Sequence, residues 1–224
     1  MTAAVIGLLA VPGCTVPTAD VPRAATSSAS SGEAVVAPLT IAQLKDAALM
    51  DADVPQVNGG MDAREGDRKP REFPPVSDPV CRTYVDVRSA EKSFARVHQI
   101  YNWNDDIYPG DTTLASYEAG AAERAFKDLK KALATCRTFE FENTTGKHTM
   151  SIVMETSPAY GDEAVTLREH TTLLAGADGN NQVTVVRAGN TIATFVRFDM
   201  GRSSSFPPEL INRQVGRLNN VQQP

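Results

Sequence analysis

Histidine and cysteine are scarce in this sequence: three of each occur among 224 residues. With no Cys-x-x-Cys pair, and histidines scattered at His98, His148 and His170, no metal site is expected. No glycine-rich dinucleotide turn or Walker loop occurs, so no cofactor is expected either. The serine-hydrolase elbow and the paired-histidine metalloprotease pattern are also missing. No apolar run is long enough to cross a bilayer as a helix. Nor is there a basic excess: the formal net charge is −5, whereas a nucleic-acid binder carries a basic patch or stripe.

What is present is enough apolar residue, 42% against 22% charged, for one core of ordinary size. The chain opens "MTAAVIGLLAVPGCTVPTAD". Ala3 to Val11 has the length of a signal-peptide apolar core and ends in small residues before Cys14. That is the pattern of a bacterial lipobox, with residues 1–13 as signal peptide and Cys14 as the lipidated new N-terminus. It departs from the usual pattern at Pro12 and in having no Lys or Arg before the apolar run, as though the basic part lay upstream of Met1. Residues 14–37, rich in Ser, Ala, Thr and Pro, are too polar to bury a core and read as a disordered, flexible tether.

With Cys14 assigned to lipid, Cys81 and Cys136 remain, and in an oxidising compartment a pair is the expected state. Such a bridge closes a loop of about 55 residues and stabilises the fold by roughly 4 kcal/mol in the chain-entropy estimate.

Beyond the tether, Thr40 and Gln43 form a capping box for a short helix with Ile41, Leu44 and Ala48 on one face, ending near Asp53. The segment 56–79 is dense in Gly, Pro and charge and reads as a long exposed loop. Its basic cluster, Arg68, Lys69 and Arg71, is interrupted by acids and reads as a solvated face. Signals from Cys81 to Trp103 are mixed, but "FARVHQIYNW" alternates as a strand does, and "DTTLASYE" suits a second. Ala122, Phe126, Leu129, Leu133 and Cys136 then recur at helical spacing, which turns Cys136 to the core. The last third alternates with period two. "TFEFE", "HTMSIVMET" with Met150, Ile152 and Met154 on one face, a strand after Gly161-Asp162, and a hairpin through Gly189-Asn190 follow in turn. A closing helix places Ile211, Val215 and Leu218 on one face. The order predicts an α+β domain: an antiparallel β-sheet flanked by helices on one side, with one disulfide.

No catalytic residue is assigned. Each histidine reads as a partly exposed strand residue. In "NWNDDIYPGD", Asn102, Asn104 and Asp106 imitate the first ligands of a calcium loop, but Ile107 and Thr113 stand where that loop needs glycine and glutamate. An acidic surface loop is the plainer reading. The sequon Asn143-Thr144-Thr145 reads as a turn.

Taken in order, "LTIAQLKDAALMDADVP", "LASYEAGAAERAFKDLKKALATCRTF", "YGDEAV", "VTVVRAGNTIATFVRF" and "FPPELINRQVGRL" resemble a known family. These are secreted actinomycete lipoproteins whose domain is similar to the extracellular sensor domain of the mycobacterial Ser/Thr kinase PknH. The resemblance spans roughly residues 38 to 221, the expected extracytoplasmic domain. It implies a sheet flanked by helices, a cleft for an unidentified ligand, and a disulfide ending the central helix at Cys136, with Cys81 as partner. Members commonly carry two bridges; here the cysteines allow one. The expectation is a non-enzymatic lipoprotein, anchored by lipid at Cys14 to the outer face of the cytoplasmic membrane. It would bind a small ligand or an envelope component. A protein-interaction module for a kinase, transporter or other lipoprotein is the alternative, and a hydrolase with a dispersed site a more distant one. Ligand-binding residues are not assignable from sequence.

Overall fold

The computed structural model describes residues 37–58, 64–65, 76–143, 146–172 and 178–223. In chain order its elements are α1 (Ile41–Ala47), β1 (Arg64–Glu65), α2 (Pro79–Arg88), β2 (Ala95–Tyr101), β3 (Gly110–Ser116) and α3 (Ala121–Leu133). There follow β4 (Thr138–Asn143), β5 (Gly146–Glu155), β6 (Glu163–Thr172), β7 (Asp178–Ala188), β8 (Thr191–Met200) and α4 (Pro208–Gln222). Among the described residues the eight strands form one sheet of order β1-β2-β3-β8-β7-β6-β5-β4, and every neighbouring pair is antiparallel. This is the α+β class that the sequence predicts.

The helices do not lie on one side, as the sequence suggests. Two cover each face. The reason is visible in β7 and β8, whose runs "VTVV" and "TIATFV" are apolar at consecutive positions and so must be covered twice. On the first face Val97, Leu114, Ala193, Phe195 and Val186 meet α1 and α4. On the second, Ala115, Ile192, Val196, Val183 and Leu167 meet α2 and α3. Neither pair covers its whole face. Val153, on the first face of β5, is 52% exposed, and Ile100, on the second face of β2, is 48% exposed. Each face is bare over a different end of the sheet.

α1 begins as expected, with Thr40 Oγ1 accepting from Gln43 N–H and Gln43 Oε1 accepting from Thr40 N–H. It ends at Ala47, earlier than expected, and a 3₁₀ turn at Asp51–Asp53 follows. Gln214 of α4, fully buried, ties this end down: it donates to Ala47 O and accepts from Leu49 N–H. At the β7–β8 hairpin only Gly189 of the central pair takes left-handed φ, at 56°, the position a two-residue loop with leading glycine requires. Gln222 closes over it, accepting from Asn190 N–H and donating to Ala188 O.

The connection from β8 to α4 crosses the first face as a strap. Arg168 donates to Ser204 O, Asn180 donates to Arg202 O, and Gln182 accepts from Phe206 N–H. These polar strand residues give the strap's partly buried backbone groups their partners. Asp199, whose side chain is fully buried, accepts from Met200 N–H, Ser204 Oγ and Arg202 Nε.

These carboxylates make stability depend on acid. Burial raises Asp199, but the Ser204, Met200 and Arg202 contacts outweigh it and hold its pKa below the ordinary value. Glu163 is lowered by Lys130 and Arg187, and Glu155 by Gln182 and Arg168 against the opposing effect of burial. A depressed carboxylate stabilises above its unfolded pKa, near 4, and that stabilisation disappears as pH falls through the folded value. The denaturant midpoint is therefore expected to hold from neutral pH to about pH 5 and to fall below about pH 4. Asp199→Asn should start lower and fall less steeply. A midpoint that does not move under acid contradicts this assignment.

Candidate functional site

A concavity lies between α2 and α3, and it follows from how those helices are held. α2 starts where Asp78 accepts from Val80 N–H, with Pro79 in its first turn. It ends in paired C-terminal bonds, Ala90 N–H to Val87 O and Glu91 N–H to Asp86 O. The residue in left-handed φ there is Ala90, at 56°, where glycine is usual. Mixed signals hid this helix in the sequence, and no glycine announced its end.

Cys81, in the first turn of α2, is bridged to Cys136, just past α3, and both are fully buried. The expected disulfide is therefore present. Because it joins the start of one helix to the end of the other, α2 and α3 run antiparallel and are stapled at one end.

A second attachment pins α2 to the sheet. Glu169 of β6, 2% exposed, accepts from Tyr84 Oη at 2.6 Å and Asn181 Nδ2 at 2.9 Å. It also pairs with Arg88 Nε at 3.0 Å. Burial, followed by the Glu169 charge, raises the Tyr84 phenol well above its ordinary pKa, so it remains a neutral donor.

With one end stapled and one face pinned, the other ends of α2 and α3 enclose a cleft of about 230 Å³. Val87, Tyr117, Ala121 and Ala125 supply its apolar surface; Asp86, Lys92, Arg124 and Asp128 supply charge. Alanines at 121 and 125 leave the space that larger side chains would fill. Tyr117 is buried, and that burial raises its pKa, so the phenol is uncharged. Asp86 is shared by Arg82 Nε at 2.6 Å and Lys92 Nζ at 3.9 Å. None of these lining residues is singled out by sequence alone: the charges look like ordinary solvated helix positions.

The remaining sequence-level candidates fall apart spatially. Cys14, Arg68, Lys69 and Arg71 lie outside the described residues, as do Thr144 and Thr145 of the sequon. His98 on β2 faces Asp111 at 3.4 Å, His148 on β5 stacks on Phe141, and His170 on β6 lies on the opposite face. No group of three metal-ligating side chains occurs among the described residues. The segment "NWNDDIYPGD" is a surface loop, with Asn104, Asp105 and Ile107 exposed, but Asp106 turns inward from it. Its side chain is 9% exposed and pairs with Arg197 at 2.7 Å and Arg202 at 3.3 Å. Arg197 also stacks on Trp103. Met150, Ile152 and Met154 share the second face, as expected, and Met154 on it is 39% exposed.

No protein-family model matches this chain, and no curated protein matches it in sequence. Among solved structures, it is similar to the extracellular domain of PknH from Mycobacterium tuberculosis. The TM-score is 0.56 at 14% identity, covering 84% of this chain and 98% of that one. The resemblance read from sequence therefore holds as a likeness of fold. A putative uncharacterised protein from Mycobacterium smegmatis gives 0.38 at 13% identity, over 82% of this chain and 95% of that one. A STAR-related lipid transfer protein fragment from Xanthomonas axonopodis gives 0.29 at 14%, over 57% and 91%. Scores this low do not establish a shared fold.

Removing Tyr84 Oη takes one donor from a buried carboxylate. Tyr84→Phe is expected to cost about 1–2 kcal/mol in urea unfolding, and Glu169→Ala about 3–5 kcal/mol, because it leaves Arg88 without its partner. Equal, near-zero costs for both substitutions would show that α2 is held without this knot.

Proposed function

We infer that this chain is a lipid-anchored extracytoplasmic binding domain, sensor-like rather than catalytic. In this reading residues 1–13 direct export, lipid on Cys14 holds the protein at the outer face of the cytoplasmic membrane, and 14–37 tether the domain of residues 38–221. The α2–α3 cleft receives a small ligand. The observation that carries the reading is that cleft, partly enclosed and built on a disulfide-stapled helix pair. A single acyl chain anchors only marginally, whereas the diacylglyceryl group of a lipoprotein gives a stable attachment.

Support also comes from the fold shared with an extracellular kinase domain and from the buried bridge, which suits an oxidising compartment. No helix among the described residues is long and apolar enough to cross a membrane, so lipid is the attachment proposed. Of the exposed large apolar side chains, Val153 and Met154 point to opposite faces, Met50 and Ile107 sit on separate loops, Val80 is in the first turn of α2, and Phe94 and Ile100 lie just before β2 and near its end. Such scattering favours a small-ligand cleft over a broad protein-docking face.

One expression experiment in a mycobacterial host tests both parts. The unmodified chain is expected in the membrane fraction and Cys14→Ser in the medium; a variant that stays with the membrane overturns the anchor. Native mass spectrometry of the secreted Cys14→Ser protein is expected to show a bound small molecule. Adding Ala125→Trp, which fills the cleft, is expected to remove it. A bound mass that persists with Trp at 125 places the ligand elsewhere.

A further inference from the structure

Charges of both signs line the α2–α3 cleft, and on α3 they are set apart along the helix. Because α2 and α3 run antiparallel from their staple, the start of α3 lies beside the end of α2. Arg124 is in the opening turns of α3 and Lys92 follows the end of α2, so both cations sit toward the unstapled end. Asp128 lies one turn further along α3 than Arg124, toward the staple, whereas Asp86, in the last turn of α2, sits beside Lys92 at 3.9 Å. Between these poles lie Val87, Ala121 and Ala125. Arg124 and Asp128, four residues apart on one helix face, present their side chains about 5–6 Å apart at Cβ. An α-ammonium and its carboxylate can span such a pair while a short side chain fills the apolar middle.

We propose that the cleft binds a small zwitterion with an apolar side chain, of the class of free amino acids or dipeptides. This rests on the reading of the cleft as a ligand site and names what that site selects. The carboxylate of the ligand is taken by Arg124, whose planar fork suits bidentate contact, with Lys92 adding charge. The ammonium is taken by Asp128. Asp86 already shares its charge with Arg82 and Lys92, which makes Asp128 the stronger acceptor of the two. Size limits the occupant as well. About 230 Å³ falls below the roughly 300–1,000 Å³ of pockets that hold drug-sized molecules. A long acyl chain or a nucleotide does not fit these dimensions. A purely apolar guest would leave both poles without a partner.

Titration calorimetry on the disulfide-bonded chain tests this with three probes of one shape: L-leucine, 4-methylpentanoate, which lacks the ammonium, and 3-methylbutylamine, which lacks the carboxylate. Leucine is expected to bind at least about tenfold more tightly than either analogue, the effect of one charge-assisted contact. Asp128→Asn should weaken leucine by about tenfold and leave 4-methylpentanoate unchanged; Arg124→Gln should weaken leucine similarly and leave 3-methylbutylamine unchanged. Ala125→Trp should abolish leucine binding while circular dichroism shows the fold retained. All three probes binding equally, and all lost in Ala125→Trp, would overturn the zwitterion proposal and leave the ligand-site reading standing. Leucine binding unaffected by Ala125→Trp would overturn both for this cleft. No leucine binding at millimolar concentration overturns the zwitterion proposal alone, because the co-purified ligand tests the site itself.

Discussion

The crosslink between Cys81 and Cys136 is the constraint on which the arrangement of this domain turns. It is local at both ends, one residue inside the first turn of α2 and one just beyond α3, yet it fixes the relative direction of two helices. Two antiparallel helices on a sheet ordinarily close against each other along their length by interleaving large side chains. Here the stapled end does so, with Phe126, Leu129 and Leu133 in the core, while alanines at 121 and 125 occupy the other end. Tyr84 and Arg88, bound to Glu169, prevent α2 from rolling across the sheet to fill the gap. The cleft is the space left when one end is stapled, one face is pinned and the facing residues are small.

The sheet distributes its cover diagonally. α1 and α4 lie on one face, α2 and α3 on the other, and the central strands β7 and β8 are buried on both. On each face, polar strand residues stand where a strap or a helix needs polar partners. On the first face Arg168, Asn180, Gln182 and Asp199 support the strap into α4 instead of an apolar layer. On the second, Glu169 and Asn181 receive α2. Polar strand residues here follow from irregular chain or a pinned helix needing partners, and none of those groups requires a catalytic role.

Much of this was legible from local chemistry. The Thr40–Gln43 capping box, the apolar stripe of α3 and the Gly189 turn are short-range signals, and each element forms where its signal lies. The disulfide was legible by counting. α2 was not, because its apolar residues are few and Ala90 stands where a glycine would mark the helix end. The two-sided cover was visible in principle in "TIATFV", since a strand with one wet face alternates and this one does not. The inward turn of Asp106 was hidden for a different reason: its partners Arg197 and Arg202 are some ninety residues away, beyond the reach of any window. The cleft residues share that difficulty. Asp86, Arg124 and Asp128 are unremarkable on a helical wheel and acquire meaning only when two helices are set side by side.

The bridge is the covalent hold on α2 against α3, added to the apolar packing of Tyr84 and Val87 in one core with Phe126, Leu129 and Leu133. Amide hydrogen exchange on the unmodified chain and on a Cys81→Ser/Cys136→Ser variant measures this directly. Faster exchange is expected across α2 and the start of α3 in the variant, with β7 and β8 as protected as before. Unchanged protection of α2 would contradict it.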